Sequence, residues 1–312
     1  MNAAPAIRIK GLVKQYGDLT AVDNIELEVA EGEFFGLLGP NGAGKTTTIN
    51  ILAGLCNKTA GEVSLFGHDL IKEYRECRLK TGLVPQDFNF DQFAKVKDVL
   101  MFQGGYFGLS IGESQRRAAE LLNDFGLSEK ADTQMRHLSG GMKRRAIILR
   151  ALMHKPNLLI LDEPTAGVDV DLRKTLWTFL RRLNSAGITI LLTTHYLEEA
   201  EALCDRVAII DHGKIIADDT TRNLVNSLSS ECVIVTSAEP VPPGTIDRLA
   251  AFHPTLNDDG FELTLNFDRS ETEYDDMLLA IRDAGIRINN IRAADNRLER
   301  VFLELTGKGV GA

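Results

Sequence analysis

The segment GPNGAGKT at Gly39–Thr46 satisfies the pattern GxxxxGK[ST], with an apolar run before it and a helix-forming stretch after it. Glycines let such a loop curl until its N–H groups converge on phosphate oxygens, and the helix start behind it adds positive potential. Lys45 supplies a mobile charge for β- and γ-phosphates. The Thr46 hydroxyl is a hard oxygen ligand of the kind Mg²⁺ takes. Such a metal needs a carboxylate from the end of a neighbouring strand, and LLILDEP at Leu158–Pro164 places Asp162 there. Glu163, the next residue, is placed to act as general base toward an attacking water. A third segment, LSGGM at Leu138–Met142, opens a helix, so the Ser139 hydroxyl and the N–H groups of Gly140 and Gly141 form a second anion cradle. The chemistry these groups suit is phosphoryl transfer.

The elements that must carry these residues follow from periodicity. Alternation at Ile7 and Ile9, then at Ile25, Leu27 and Val29, reads as early strands. Continuous apolar runs at Phe34–Leu38, Asn157–Leu161 and Ile188–Leu192 read as buried strands, and Thr46–Ala53 as a helix. Ala118, Leu121, Leu122 and Phe125 share one helical face within Ser114–Phe125, as do Leu172, Leu176, Phe179, Leu180 and Leu183 further on. Buried strands alternating with helices imply a mostly parallel α/β core. Val207–Ile210 and Lys214–Ile216 read as a hairpin around His212 and Gly213, and Asn223–Leu228 as helical. Beyond them comes a strand (Cys232–Thr236), a helix (Thr245–Phe252), a short strand and a longer one (Phe261–Phe267). A helix (Tyr274–Ala284), a strand (Ile286–Ile291) and a last helix (Leu298–Leu305) follow. That β-α-β-β-α-β order suggests a small ferredoxin-like unit. The expected division is 7–224 and 225–312.

Lys+Arg 35 against Asp+Glu 44 gives a net charge of −9, which speaks against a general nucleic-acid backbone binder. No apolar run approaches the ~18 residues of a membrane span, and the start, MNAAPAIRIK, lacks the pattern of a secretory leader. Cys56, Cys77, Cys204 and Cys232 show neither CxxC nor zinc spacing, so reduced thiols in a cytosolic protein are expected.

The phosphate loop, LSGGM and LLILDEP, in that order, resemble the nucleotide-binding subunit of ATP-binding cassette (ABC) transporters over residues ~7–220. The resemblance implies a P-loop ATPase fold with a mostly parallel core sheet, an antiparallel β subdomain and a helical subdomain, here followed by the ferredoxin-like unit. It implies ATP and Mg²⁺ as ligands. Gly39, Pro40, Asn41, Gly42, Ala43, Gly44, Lys45, Thr46 and Thr47 would hold the phosphates, and Tyr16, in KQYGD, would stack on adenine through its π-face. Gln86, in LVPQD, matches the family's glutamine that senses Mg²⁺ and the attacking water. His195, in TTHYLEEAE, matches the switch histidine near the γ-phosphate, and Asp169 the aspartate that couples two sites across a dimer. Ser139, Gly140 and Gly141 would meet the γ-phosphate held by a second copy; Met142 replaces the commoner glutamine and leaves that contact intact. Thr46, Gln86 and Asp162 would hold the metal, and Lys45, Gln86, Glu163 and His195 would carry hydrolysis.

FFGLLG at Phe34–Gly39, LSGGMKRR, the stretch from His195 to Thr220, and LERVFLELTG at Leu298–Gly307 are similar to the ATPases of multidrug- and polysaccharide-type exporters, which pair with a separate six-span permease. Residues after Gln86, to about Phe107, would form the surface that meets it, keeping the protein on the cytoplasmic face of the inner or plasma membrane. An importer ATPase is the alternative, and a non-transport cassette a more distant one. A translation-type cassette carries two copies of the motifs in one chain, and a DNA-repair cassette needs a coiled-coil insertion for which the interval from Lys45 to Leu138 has no room. Residues 225–312 offer no catalytic constellation and read as a dimer-supporting or regulatory appendage, with a small ligand-sensing module as the alternative. The transported molecule is chosen by the permease and is not readable here.

Overall fold

The computed structural model describes residues 4–87, 89–166, 168, 170–226, 230–242, 244–268, 272–293 and 297–306. The chain divides into two compact units, Met1–Thr221 and Arg222–Ala312.

In the first unit, β1 (Ile7–Tyr16) and β2 (Leu19–Val29) pair antiparallel, with Ile7, Ile9, Leu12, Ile25, Leu27 and Val29 on the buried side. β3 (Phe34–Leu38) is buried at every position and leads into α1 (Lys45–Leu52), so the helix starts one residue earlier than the periodicity implied. β4 (Ala60–Leu65) and β5 (His68–Asp69) complete an antiparallel sheet in the order β2-β1-β4-β5. α2 (Tyr74–Lys80) precedes β6 (Thr81–Val84). A helical segment follows: α3 (Val96–Tyr106), α4 (Ile111–Asp124) and α5 (Gly140–Leu152). α4 begins ahead of the expected Ser114 because Ser110 and Glu113 form a capping box that satisfies the first free N–H groups.

β7 (Leu158–Asp162), α6 (Val170–Ser185), β8 (Thr189–Thr194), α7 (Leu197–Leu203), β9 (Arg206–Asp211) and β10 (Lys214–Thr220) close the unit. The second sheet has the order β10-β9-β3-β8-β7-β6, parallel throughout except for the β9–β10 hairpin. Phe35, Leu37, Ile160, Leu191 and Ala208 from this sheet share one core with the apolar side of the antiparallel sheet. That packing fixes the parallel strands as a rigid base. The loops leaving the carboxyl ends of β3, β6, β7 and β8 therefore emerge side by side, where parallel α/β sheets hold their ligands.

α8 (Thr221–Asn226) follows; Ser227 and Leu228 of the expected helix lie outside the described residues. The second unit contains β11 (Ser230–Ser237), β12 (Thr255–Leu256), β13 (Glu262–Asp268), α9 (Tyr274–Asp283), β14 (Ile288–Ala293) and α10 (Arg297–Leu305). Its sheet is fully antiparallel in the order β12-β13-β11-β14, the ferredoxin-like arrangement. Val233, Val235, Leu263, Leu265 and Phe267 from the sheet pack with Met277 and Ile281 of α9. Two expectations need correction. The helix expected over Thr245–Phe252 is a tight 3₁₀ helix, Ile246–Phe252, because its turns close with short bonds such as Arg248 N–H to Thr245 O, and His253 in a left-handed conformation stops it. The last strand starts at Ile288, not Ile286: Gly285 (φ +82°) turns the chain, and Ile286 N–H is taken up in capping α9 on Ile281 O. Among the described residues no helix is long and apolar enough to cross a membrane.

Candidate active site

The loop after β3 is held by close backbone approaches. A Cβ on Gly39 would stand 2.2 Å from Ile210 O, and Gly44 combines φ +111° with Ala21 O at 2.6 Å from the position of a Cβ, so no other residue fits either place. Ala43 O accepts from Gly213 N–H at 2.9 Å, pinning the loop to the β9–β10 turn. α1 starts on Gly44 with no side-chain cap, which leaves its first N–H groups for an anion. Lys45 is buried and curls back, donating to Gly39 O at 2.6 Å and Pro40 O at 3.0 Å. Burial pulls its pKa down, opposed by the charges of Glu163 and Asp162. Asn41, Gly42 and Thr46 are exposed, and Thr47 half-buried.

Asp162 ends β7. Its Oδ1 accepts from the Thr193 hydroxyl at 2.6 Å. Burial pushes its pKa up and Glu163 adds to this, while Thr193, Lys45 and a hydrogen bond with Thr46 act against it. Thr46 and Asp162 thus meet, two hard oxygen donors of the kind Mg²⁺ takes, with phosphate and water left to complete a shell; Gln86 stands on the neighbouring loop, where its amide nitrogen is engaged by Glu163. Among the described residues no group of three or more His, Cys, Asp or Glu could hold a metal by itself.

Glu163 adopts φ +46°, uncommon for a residue with a side chain, and is fixed there by its N–H donating to Thr193 O at 3.0 Å. Its Oε2 receives Gln86 Nε2 at 3.1 Å, and His195 Nδ1 lies 3.2 Å away. Three loops, after β6, β7 and β8, thereby converge on one carboxylate oxygen.

The sequence reading missed the residues behind this triad. Arg144 of α5, nearly fully buried, donates to Pro85 O at 2.9 Å and Gln86 O at 3.0 Å, so the helix opened by Ser139 grips the backbone of Gln86. Glu199 of α7, also buried, accepts from Thr165 Oγ1 at 3.1 Å and Trp177 Nε1 at 3.0 Å, tying the turn after Glu163 to the helix after His195. Burial raises the Glu199 pKa against those hydrogen bonds. In sequence Arg144 is one basic residue of KRR; no signal short of the fold marks it.

Ser139 caps α5, accepting from Met142 N–H at 3.3 Å; it and Gly140 are exposed, and Gly141 packs against Leu172. Among the described residues no hydrogen bond joins Ser139 to the phosphate loop of its own chain. Tyr16 ends β1 half-exposed, its hydroxyl 3.2 Å from Cys56 Sγ and the Lys14 ammonium 4.5 Å above its ring. Hydrogen bonding to Cys56 raises its pKa. Asp169 lies outside the described residues.

Comparison with known proteins identifies the family of the chain. Residues 22–166 match the ABC transporter family. The linearmycin resistance ATP-binding protein LnrL of Bacillus subtilis (strain 168) is 38% identical over 306 residues, covering 97% of this chain and 98% of its own length. The Nod factor export ATP-binding protein I of Burkholderia pseudomallei (strain 1710b) is 40% identical over 308 residues, covering 99% of each. Among solved structures, an ATP-binding subunit of an ABC transporter superposes with TM-score 0.65 at 30% identity, covering 71% of this chain and 92% of that one. A dimeric ATP-binding cassette in a post-hydrolysis state with ADP and Pi gives 0.64 at 28% identity, covering 69% and 99%.

Proposed function

This chain belongs to the ATP-binding subunits of ABC transporters, and from that premise we propose that it hydrolyses ATP with Mg²⁺ to drive a separate membrane permease in the export direction. The relatives' names, one for Nod factor export and one for linearmycin resistance, support export over import.

Lys45 exchanges its bonds to Gly39 O and Pro40 O for β- and γ-phosphate oxygens, while the Gly39–Thr47 loop wraps the phosphates with the N–H groups that follow Pro40. Tyr16 offers its ring to the adenine. Thr46, Asp162 and Gln86 would hold Mg²⁺, whose charge would offset that of the phosphates. Glu163 accepts the proton of the attacking water, with Gln86 and His195 fixing its oxygen and the γ-phosphate geometry. Ser139, Gly140 and Gly141 serve a second copy. The exposure of Ser139 and Gly140 supports a symmetric dimer with two composite sites, across which Asp169 is assigned the coupling role. The permease meets the segment from Gln86 to Phe107, where Phe93, Phe102 and Tyr106 are 65%, 74% and 81% exposed.

The observation that carries the reading is the meeting of Gln86 and His195 on Glu163 Oε2 beside the phosphate loop. Glu163→Gln tests it. ATP affinity should stay within a few-fold, while turnover falls by about 10²–10⁴. Wild-type turnover in that variant would remove Glu163 from the chemistry.

A further inference from the structure

α9 carries apolar side chains on two opposite faces. Met277 and Ile281 are buried in the core of the second unit. Leu278 and Leu279, 37% and 47% exposed, point the other way and, with Ile286 and Ile288, line an open groove of about 510 Å³. Asp275 and Arg282 stand at the two ends of the same stripe. Helical geometry puts Asp275 one turn before Leu278 and Arg282 one turn after Leu279, all four within an arc of about 100°.

That arrangement is self-complementary. A second α9, run antiparallel about a two-fold axis midway between Leu278 and Leu279, brings Leu278 of each copy to Leu279 of the other. The same rotation brings Asp275 of each copy to Arg282 of the other. Arg282 lies 3.9 Å from Asp283 in its own chain, with both side chains largely exposed, a weak contact that leaves the guanidinium free to turn outward. Asp275 and Asp276 in the first turn of α9 make the face repellent to an anionic lipid surface. Its symmetry, acid and base placed equally about an apolar centre, is what an isologous contact requires.

We propose that the α9 face of the second unit is a self-association surface that pairs antiparallel with α9 of a second copy of this chain, independently of nucleotide. Such a contact keeps two copies together when the composite ATP sites are open.

The test uses the full chain freed of nucleotide, followed by sedimentation velocity over about 1–100 µM. Wild-type protein should pass from monomer to dimer within that range. Asp275→Arg and Arg282→Asp each place like charges at both ends of the stripe and should raise the dimer Kd about tenfold or more. Their equimolar mixture should form heterodimers, because one chain then presents two arginines and the other two aspartates. The double exchange, Asp275→Arg with Arg282→Asp, should restore wild-type association. Circular dichroism confirms that these exposed substitutions leave the fold intact. A wild-type chain that stays monomeric throughout the range, or single exchanges that associate like wild type, would overturn the proposal. Failure of both the mixture and the double exchange to recover association would do the same.

Discussion

Replacing Arg144 by methionine separates the positioning of Gln86 from the binding of ATP. From a nearly fully buried position the guanidinium donates to Pro85 O at 2.9 Å and to Gln86 O at 3.0 Å. Hydrogen bonds to a charged group contribute about 1.5–3 kcal/mol each, and the orphaned carbonyls add their own desolvation cost. Against that, burial already pulls the Arg144 pKa down, so removing the charge recovers part of its desolvation. The balance is a loss of about 2 kcal/mol in stability. The catalytic effect runs through Gln86 Nε2, whose 3.1 Å bond to Glu163 depends on where that backbone sits. A displacement of about 1 Å can cost 10²-fold in rate, so kcat should fall about tenfold to a hundredfold. ATP affinity should hold, because the bonds of Lys45 run to Gly39 and Pro40 and do not involve Arg144. Arg144→Lys should be intermediate, since one ammonium cannot span both carbonyls. Urea unfolding gives the stability term, and steady-state hydrolysis with an ATP titration gives the other two. A folded Arg144→Met variant with a lowered unfolding midpoint and wild-type kcat would refute the link from α5 to Glu163.

Asp162→Asn should abolish Mg²⁺-supported hydrolysis yet stabilise the fold. Its raised pKa means the native carboxyl holds its proton more tightly than the unfolded one, so its contribution declines as pH rises through about 4 and above. The stabilisation should therefore be near nil in acid and largest at neutral pH, as thermal melts across pH will report; a gain that shrinks toward neutrality would contradict the burial argument. Cys77, its thiol pushed up to about 11 by burial, and the buried Cys204, raised likewise, should resist iodoacetamide at pH 8, while half-buried Cys56 and Cys232 react. Mass spectrometry before and after denaturation checks this. Tyr16→Ala should weaken ATP and GTP alike by ~1 kcal/mol, because stacking tolerates either purine; unchanged affinities would make Tyr16 a packing residue.

Much of the site is readable in the sequence because its groups lie on short loops with fixed local geometry. Gly39–Thr46 announces a phosphate loop in one stretch, and Asp162 and Glu163 mark the end of an apolar strand. Arg144, Thr193 and Glu199 do not show, since each acts through a partner far along the chain: Arg144 through Pro85 and Gln86, Thr193 through Asp162, Glu199 through Thr165 and Trp177. The β-α-β-β-α-β order after residue 230 is equally legible, because strand and helix periods differ. Its details are not. Whether Thr245–Phe252 closes as 3₁₀ or α, and whether Ile286 caps a helix or opens a strand, turns on single hydrogen bonds and on the left-handed backbone at His253 and Gly285. The pattern of α9 illustrates a different limit. Met277, Leu278, Leu279 and Ile281 are alike apolar in sequence, and only the fold shows that Met277 and Ile281 fill the interior while Leu278 and Leu279 face outward.

Complementation between two inactive chains tests the composite site most directly. Lys45→Ala disables the phosphate loop but leaves its Ser139 cradle whole, whereas Ser139→Arg obstructs the cradle but leaves its loop whole. Each variant alone should be inactive, since every site in its dimer contains the defect. Mixed in equal amounts, half the dimers pair one of each and hold one intact site of two, so ATP turnover should return to about a quarter of wild type. Ser139→Arg hydrolysing ATP normally by itself, or a mixture as inactive as its parts, would contradict a site built from Lys45 and Glu163 of one copy and Ser139 of another.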